Sequence, residues 1–144
     1  NPCTGRTPRV HRLGTKQMRI ILAILVVVVG ALAYVRLAPV KLTAVTLPTA
    51  VGDYPEAGGF TAVRDVSDAM NLATVEAAML ALPRTVKVAS DPLTFVTRSR
   101  VIGFPDVTVV EERDGKLAIS AHLVYGGSDL GVNKARVLAL LASL

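Results

Sequence analysis

An uninterrupted apolar run from Ile20 to Val35, bracketed by Arg19 and Arg36, constrains this chain more than any other feature. Only Tyr34, at one end of the run, can bond to water. The apolar character continues past Arg36 through Leu37 and Ala38 and stops at Pro39. A bilayer core of about 30 Å needs a helix of roughly 20 residues. Residues 18–38 supply that length when the long side chain of Arg36 reaches toward the headgroups. The run predicts a single-pass transmembrane helix, with one small domain behind it. A cleaved signal peptide is the rival reading, with Ala31-Leu32-Ala33 as its small-residue site. The apolar run passes beyond that site into Val35 and Leu37, which favours an intact anchor.

Charge sets the expected orientation. Arg6, Arg9, Arg12, Lys16 and Arg19 precede the run, and no acid does. Lys and Arg beside a membrane segment stay on the cytoplasmic side. The basic tail, residues 1–17, is therefore expected in the cytoplasm. The C-terminal domain is expected in the periplasm of a bacterium, tethered to the inner membrane. The net charge of +5 belongs to the segment up to Arg19. From Arg36 onward, basic and acidic residues are equal in number. A domain without a basic stripe and interleaved aromatics gives no support for a nucleic-acid partner. Cys3 is the one cysteine and cannot form an intrachain disulfide, and the domain behind the anchor, without Cys, has no thiolate for a metal site. Asn1 rather than Met opens the sequence, as in a piece of a longer reading frame.

After the anchor, residues 39–65 read as a linker. Pro39, Pro48, Pro55, Gly52, Gly58 and Gly59 punctuate it, and neither the helical nor the strand period is sustained. The folded domain is expected over residues 66–144. Asp68 to Leu82 has one apolar face in Leu72, Val75, Met79 and Leu82, with Ser67 as N-cap and Pro83 as the stop. The period then changes to two. Strands are expected at Thr85–Ala89, Leu93–Arg100, Val107–Glu112 and Lys116–Tyr125, with turns at Asp91-Pro92 and Asp114-Gly115. In the last strand Leu117, Ile119, Ala121, Leu123 and Tyr125 share the face toward the core. Ser128 or Asp129 caps a final helix, with Gly131 in the same turn. That helix has a stripe of Leu130, Val137, Leu138, Leu141 and Leu144, and Asn133, Lys134 and Arg136 lie away from it. Leu138 and Leu141 are expected to be buried. The fold class is α+β: an antiparallel sheet with two helices, behind a transmembrane helix.

Two stretches carry a resemblance. Arg98-Ser99-Arg100-Val101-Ile102-Gly103-Phe104-Pro105-Asp106-Val107 is one. Ser128-Asp129-Leu130-Gly131-Val132-Asn133-Lys134-Ala135-Arg136-Val137 is the other and the more specific. Together they resemble the uncharacterised family called domain of unknown function 1499, over roughly Val66 to Leu144. The resemblance implies a small domain of bacteria and plastids, often behind a signal or membrane segment, and it brings no activity. Three features depart from the family pattern. Gly59 to Ser67 has no Cys, Asp106 is followed by Val107 rather than a second acid, and Ser120 to Val124 is largely apolar where the family is Arg- and Ser-rich.

The best polar constellation is Arg98, Arg100, Asp106 and Asp129. As a site it would grip a carboxylate, phosphate or lipid headgroup through Arg98 and Arg100. As structure, the arginines would pair with Asp106 or Asp129 and fix the turns, and this is the favoured reading. His122 is the domain's single histidine. It shares a strand face with Ser120 but has no visible third group to orient it. No metal ligand set accompanies it. Gly126 to Gly131 lacks the Lys of a phosphate-binding loop and reads as a strand-to-helix turn. No catalytic residue, cofactor or metal is assigned. The leading reading is a non-enzymatic accessory or structural subunit of a larger membrane complex, of respiratory or photosynthetic type for example. Its partners would be integral membrane proteins and lipids, and Gly30, Ala31 and Ala33 would form a close-packing helix surface. The alternative is a tethered periplasmic binding module for a small anion or lipid headgroup.

Overall fold

The computed structural model describes residues 14–40, 42 and 45–144. The greater part of the basic tail, with Cys3, Arg6, Arg9 and Arg12, lies outside the described residues. So does Lys41. The chain divides into two compact units, residues 1–34 and 35–144.

The first unit contains most of α1, Thr15–Leu37. Its side chains from Ile20 to Val35 are uncharged and, Tyr34 apart, wholly apolar, and an α-helix bonds every interior backbone group within itself. That is the condition for entering a lipid core. No residue of α1 is buried against protein. Gly30 in particular has open space where a side chain would stand. The helix is long and apolar enough to cross a membrane.

The second unit is α+β, as expected. Six strands form one antiparallel sheet: β1 Gly52–Glu56, β2 Gly59–Asp65, β3 Thr85–Ser90, β4 Leu93–Arg98, β5 Pro105–Arg113 and β6 Lys116–Leu123. Their spatial order is β1-β2-β6-β5-β4-β3. Helices α2, Leu72–Ala81, and α3, Val132–Ala142, lie on one face of it. The first packs on β3, β4 and β5, and the second on β2 and β6. Phe60, Val75, Met79, Phe95, Val110, Leu117, Ile119, Ala121, Val137 and Leu140 fill the space between.

The supposed linker needs correcting. Residues 52–65 form the β1–β2 hairpin, and β2 pairs with β6 near the middle of the sheet. Every residue from Gly59 to Val63 is buried, on both faces, so no alternation marks the strand. Pro55 is tolerated because β1 is an edge strand. Gly58 closes the hairpin at φ +70°, and a side chain there would come within 2.8 Å of Leu123 Cδ2. The preceding stretch is not a free spacer either. Val40, Val45 and Leu47 pack on Val96, Val107 and Val109, across the sheet face opposite the helices.

Both helices start later than expected. At α2 the cap is Asn71, not Ser67. Asn71 Oδ1 accepts from Thr74 N at 3.1 Å, and Thr74 Oγ1 accepts from Asn71 N at 3.1 Å. Ser67 instead accepts from Met70 N in the turn before the helix. Leu72 is exposed, leaving Val75 and Met79 as the buried residues of α2.

At α3 the expected stripe is rotated. Leu130 lies outside the helix and is 95% exposed, and Leu138 is exposed at 37%. Leu141 is half-buried and packs at the core's edge. The buried residues are Asn133, Val137 and Leu140. Asn133, expected on the outer face, is fully buried. Its amide donates to Gly58 O at 3.4 Å and accepts from Arg136 Nη1 at 2.8 Å. Those bonds offset the cost of burying it.

Candidate functional site

Of the polar residues singled out in the sequence, Arg98, Arg100 and Asp106 line one pocket, but neither arginine pairs with Asp106 or Asp129. Arg98 ends β4, and its guanidinium is occupied by main-chain carbonyls. Nη1 donates to Val35 O at 2.9 Å and Gly103 O at 3.2 Å, and Nη2 donates to Ala38 O at 3.4 Å. Asp106 pairs with Arg136 rather than with Arg98 or Arg100, at 2.9 Å, with both side chains largely buried. Arg136 also binds Asn133, so one guanidinium ties β5 to α3 and to the hairpin below it.

Asp129 pairs with neither arginine. Its carboxylate accepts from Gly131 N at 3.0 Å and Asn133 N at 2.7 Å. Ser128 Oγ accepts from Leu130 N at 3.3 Å. Gly131 is the helix N-cap at φ 81°, a left-handed conformation that suits glycine. Ser128, Asp129 and Gly131 lie together in the turn before α3, where Asp129 accepts from the cap amide of Gly131 and from Asn133 N in the first helical turn. Partial burial raises the Asp129 pKa, but the hydrogen bonds from Asn133 and Gly131 outweigh it and hold the carboxyl below its usual range.

His122 is half-buried on the sheet face opposite the helices, opposite Gly59 and Val107 in the register. Burial pulls its pKa below the ordinary 6.5, against the opposing pull of Glu56 and Asp106. Ser120 is on the same face, but its hydroxyl is 2.9 Å from Thr61 Oγ1, which is 3.1 Å from Glu56 Oε1. The Ser120–Thr61–Glu56 relay is a cross-strand polar lock. Among the described residues, no three of His, Cys, Asp and Glu gather as a metal site would require.

A different cluster does form. Arg36, Arg84, Arg98 and Arg100 line one shallow pocket with Val86, Ser99 and Gly103. Arg36 donates to Val101 O at 2.5 Å and Ile102 O at 3.3 Å. Gly103, at φ +87°, makes room for it, since a side chain there would meet Arg36 Cγ at 2.6 Å. Arg84 Nε donates to Arg98 O at 3.0 Å. Ser99 closes the loop, its hydroxyl accepting from Gly103 N and Phe104 N, each at 3.0 Å. Sequence reading found Arg98 and Arg100 but missed Arg36 and Arg84. Arg36 is far away in the chain and read as the end of the anchor. Arg84 follows Pro83 in a turn that carries no motif.

Comparison with known proteins fixes the family. The match is to a protein family of unknown function, DUF1499, over residues 4–144. The chain belongs to the DUF1499 family. The match takes in the apolar helix and the β1–β2 hairpin as well as the stretches at Arg98 and Ser128. No curated protein and no solved structure matches the chain. The DUF1499 membership carries no activity, so function has to be argued from the residues themselves.

Proposed function

We propose that this DUF1499 protein is a non-enzymatic accessory subunit of a larger membrane assembly. A single helix anchors it, and its α+β domain stands on the periplasmic face. The observation that carries the reading is α1, an apolar helix of 23 residues with no residue buried against protein. Such a surface needs lipid or other helices around it. Gly30, Ala31 and Ala33 allow close approach of a partner helix there. The use made of the polar residues adds support. Arg98, Asp106 and Asp129 are spent on carbonyls, an ion pair and helix amides, which are structural tasks. The orientation rests on the positive residues before the helix.

The test is purification in mild detergent. A defined set of membrane proteins should accompany the wild-type chain. Gly30→Leu and Ala33→Leu should lose that set while still inserting, because both remain apolar. His122→Ala should keep it. A wild-type chain that purifies alone from native membranes would sink the reading. A reporter fused after Leu144 should be active only in the periplasm, and cytoplasmic activity would reverse the orientation.

A further inference from the structure

The four-arginine pocket adjoins an apolar loop. Val101 is 77% exposed, Ile102 39% and Phe104 42%, and Tyr125, 49% exposed, stacks at a tilt on Phe104 with ring centroids 6.4 Å apart. A closed loop with outward aliphatic and aromatic side chains beside several arginines is amphipathic at small scale. Among the described residues no acid pairs with Arg36, Arg84, Arg98 or Arg100. Asp106, the acid that lines an adjoining pocket with Arg84, Arg98 and Arg100, is taken by Arg136. Four cations without counter-charges repel each other and favour an anion among them. Arg98 uses three of its five donors on carbonyls. Arg100 makes no hydrogen bond among the described residues. Arg84 and Arg36 each retain donors beyond the bonds they make.

Arg36 decides what kind of anion. It is the residue that ends the apolar run, so with α1 in a bilayer it lies at the headgroup level. Its guanidinium holds the carbonyls of Val101 and Ile102, which keeps that loop within one side chain's reach of the headgroups. The inference therefore rests on the anchor reading above and extends it.

We propose that Arg36, Arg84 and Arg100, with Val101 and Ile102, form a docking surface for the phosphate headgroups of anionic phospholipids in the anchoring bilayer. The guanidinium groups hold headgroup phosphates, and the loop side chains enter the interfacial layer. Arg98 serves as a positioning residue that holds the chain at Val35 and Ala38 beside the loop.

The chain contains no tryptophan, so one introduced indole reports alone. Val101→Trp and, separately, Val27→Trp are placed in the full chain and reconstituted into nanodiscs. The lipid is phosphatidylcholine alone or mixed with phosphatidylglycerol, with bromine-labelled acyl chains as quencher. Val27→Trp should be quenched in both lipids. Val101→Trp should be quenched more in the anionic bilayer. Arg100→Glu added to it should weaken the loop's engagement by at least about fivefold, the share of one surface arginine. Lys116→Glu, the same charge change at the far end of β6, should leave it unaltered. Quenching at Val27 but none at Val101, or quenching blind to lipid charge, overturns the docking surface and leaves the anchor standing. No quenching at Val27 overturns both. Release of the loop by inorganic phosphate, but not by chloride of equal ionic strength, makes the pocket a soluble-anion site and overturns the lipid assignment.

Discussion

The sheet has two faces, and they are closed by different means. On one, α2 and α3 lie over Phe60, Phe95, Val110, Leu117 and Ile119, and these residues are buried to within a few per cent. On the other, a strap carrying Val40, Val45 and Leu47 covers only Val96, Val107 and Val109, and those covering side chains stay half-exposed. Polar bonds complete that second face, in the Ser120–Thr61–Glu56 relay. Helices bring regular rows of side chains down onto a sheet, whereas the strap sets only a few partly buried side chains on it. The helix face should therefore carry most of the stability, and the strap face should be the softer one.

The sharpest test of that contrast is one of the two phenylalanines of the helix face. Phe95 is fully buried beneath α2. Phe95→Ala should cost about 3–5 kcal/mol, the usual range for emptying a packed aromatic site. Against total stabilities of about 5–15 kcal/mol this removes much of the folding free energy. Denaturant midpoints of the reconstituted chain would measure it. A loss near that of a surface substitution would mean that the helices do not seal the face.

Neighbouring valines in β5 make a matched pair. Val110 points to the helix face and Val109 to the strap face, and both are buried, at 0% and 6% exposure. Truncation to Ala removes the same two methyl groups from each. Val110→Ala should cost about 2 kcal/mol, from roughly 0.8 kcal/mol per buried carbon plus a residual cavity. Val109→Ala should cost about half as much, because the strap can settle into the gap. Equal losses would abolish the distinction between the faces.

What the sequence disclosed follows the same line. The strands from β3 to β6 were legible because turn residues separate them and their side chains alternate. In β6 the core face of Leu117, Ile119 and Ala121 came out directly. Strand β2 was not legible, although β4 and β6 are buried on both faces as it is, because Pro55, Gly58 and Gly59 at its start imitate a linker. The α3 stripe was misplaced because Leu130 is apolar but precedes the helix, while Asn133 is polar yet buried through bonds to residues far away in the chain. For the arginine cluster, two members come from turns and one from the end of the anchor. Only the fold brings them together.

The turn before α3 offers a smaller effect. Asp129→Ala removes the acceptor for two helix amides and should cost about 1 kcal/mol, as for a lost cap. The folded pKa of Asp129 lies below its unfolded value, so its contribution is present above the unfolded pKa. It fades as pH falls through the folded one. Asp129→Asn should flatten that acid limb of the stability curve. An unchanged acid limb would place the sensitivity in other carboxylates and leave this end of the helix face unproven.

The smallest effect probes the strap face itself. His122 lies there half-buried, and burial depresses its pKa below 6.5. The unfolded chain therefore binds more protons than the folded one as pH drops through 6.5, and stability must rise with pH across that window. The contribution is complete above the unfolded pKa and declines toward the folded value. Below both it is lost in full and the dependence levels off. His122→Gln keeps a polar side chain of similar reach and cannot titrate. Its denaturation midpoint should be flatter than wild type between about pH 7.5 and 5.5, with the two curves parallel above that range. If wild type and variant have the same slope, water reaches His122 freely and Glu56 and Asp106 offset what burial remains. The strap face would then be open at its β2–β6 end, and closure by the strap would stop at Val107.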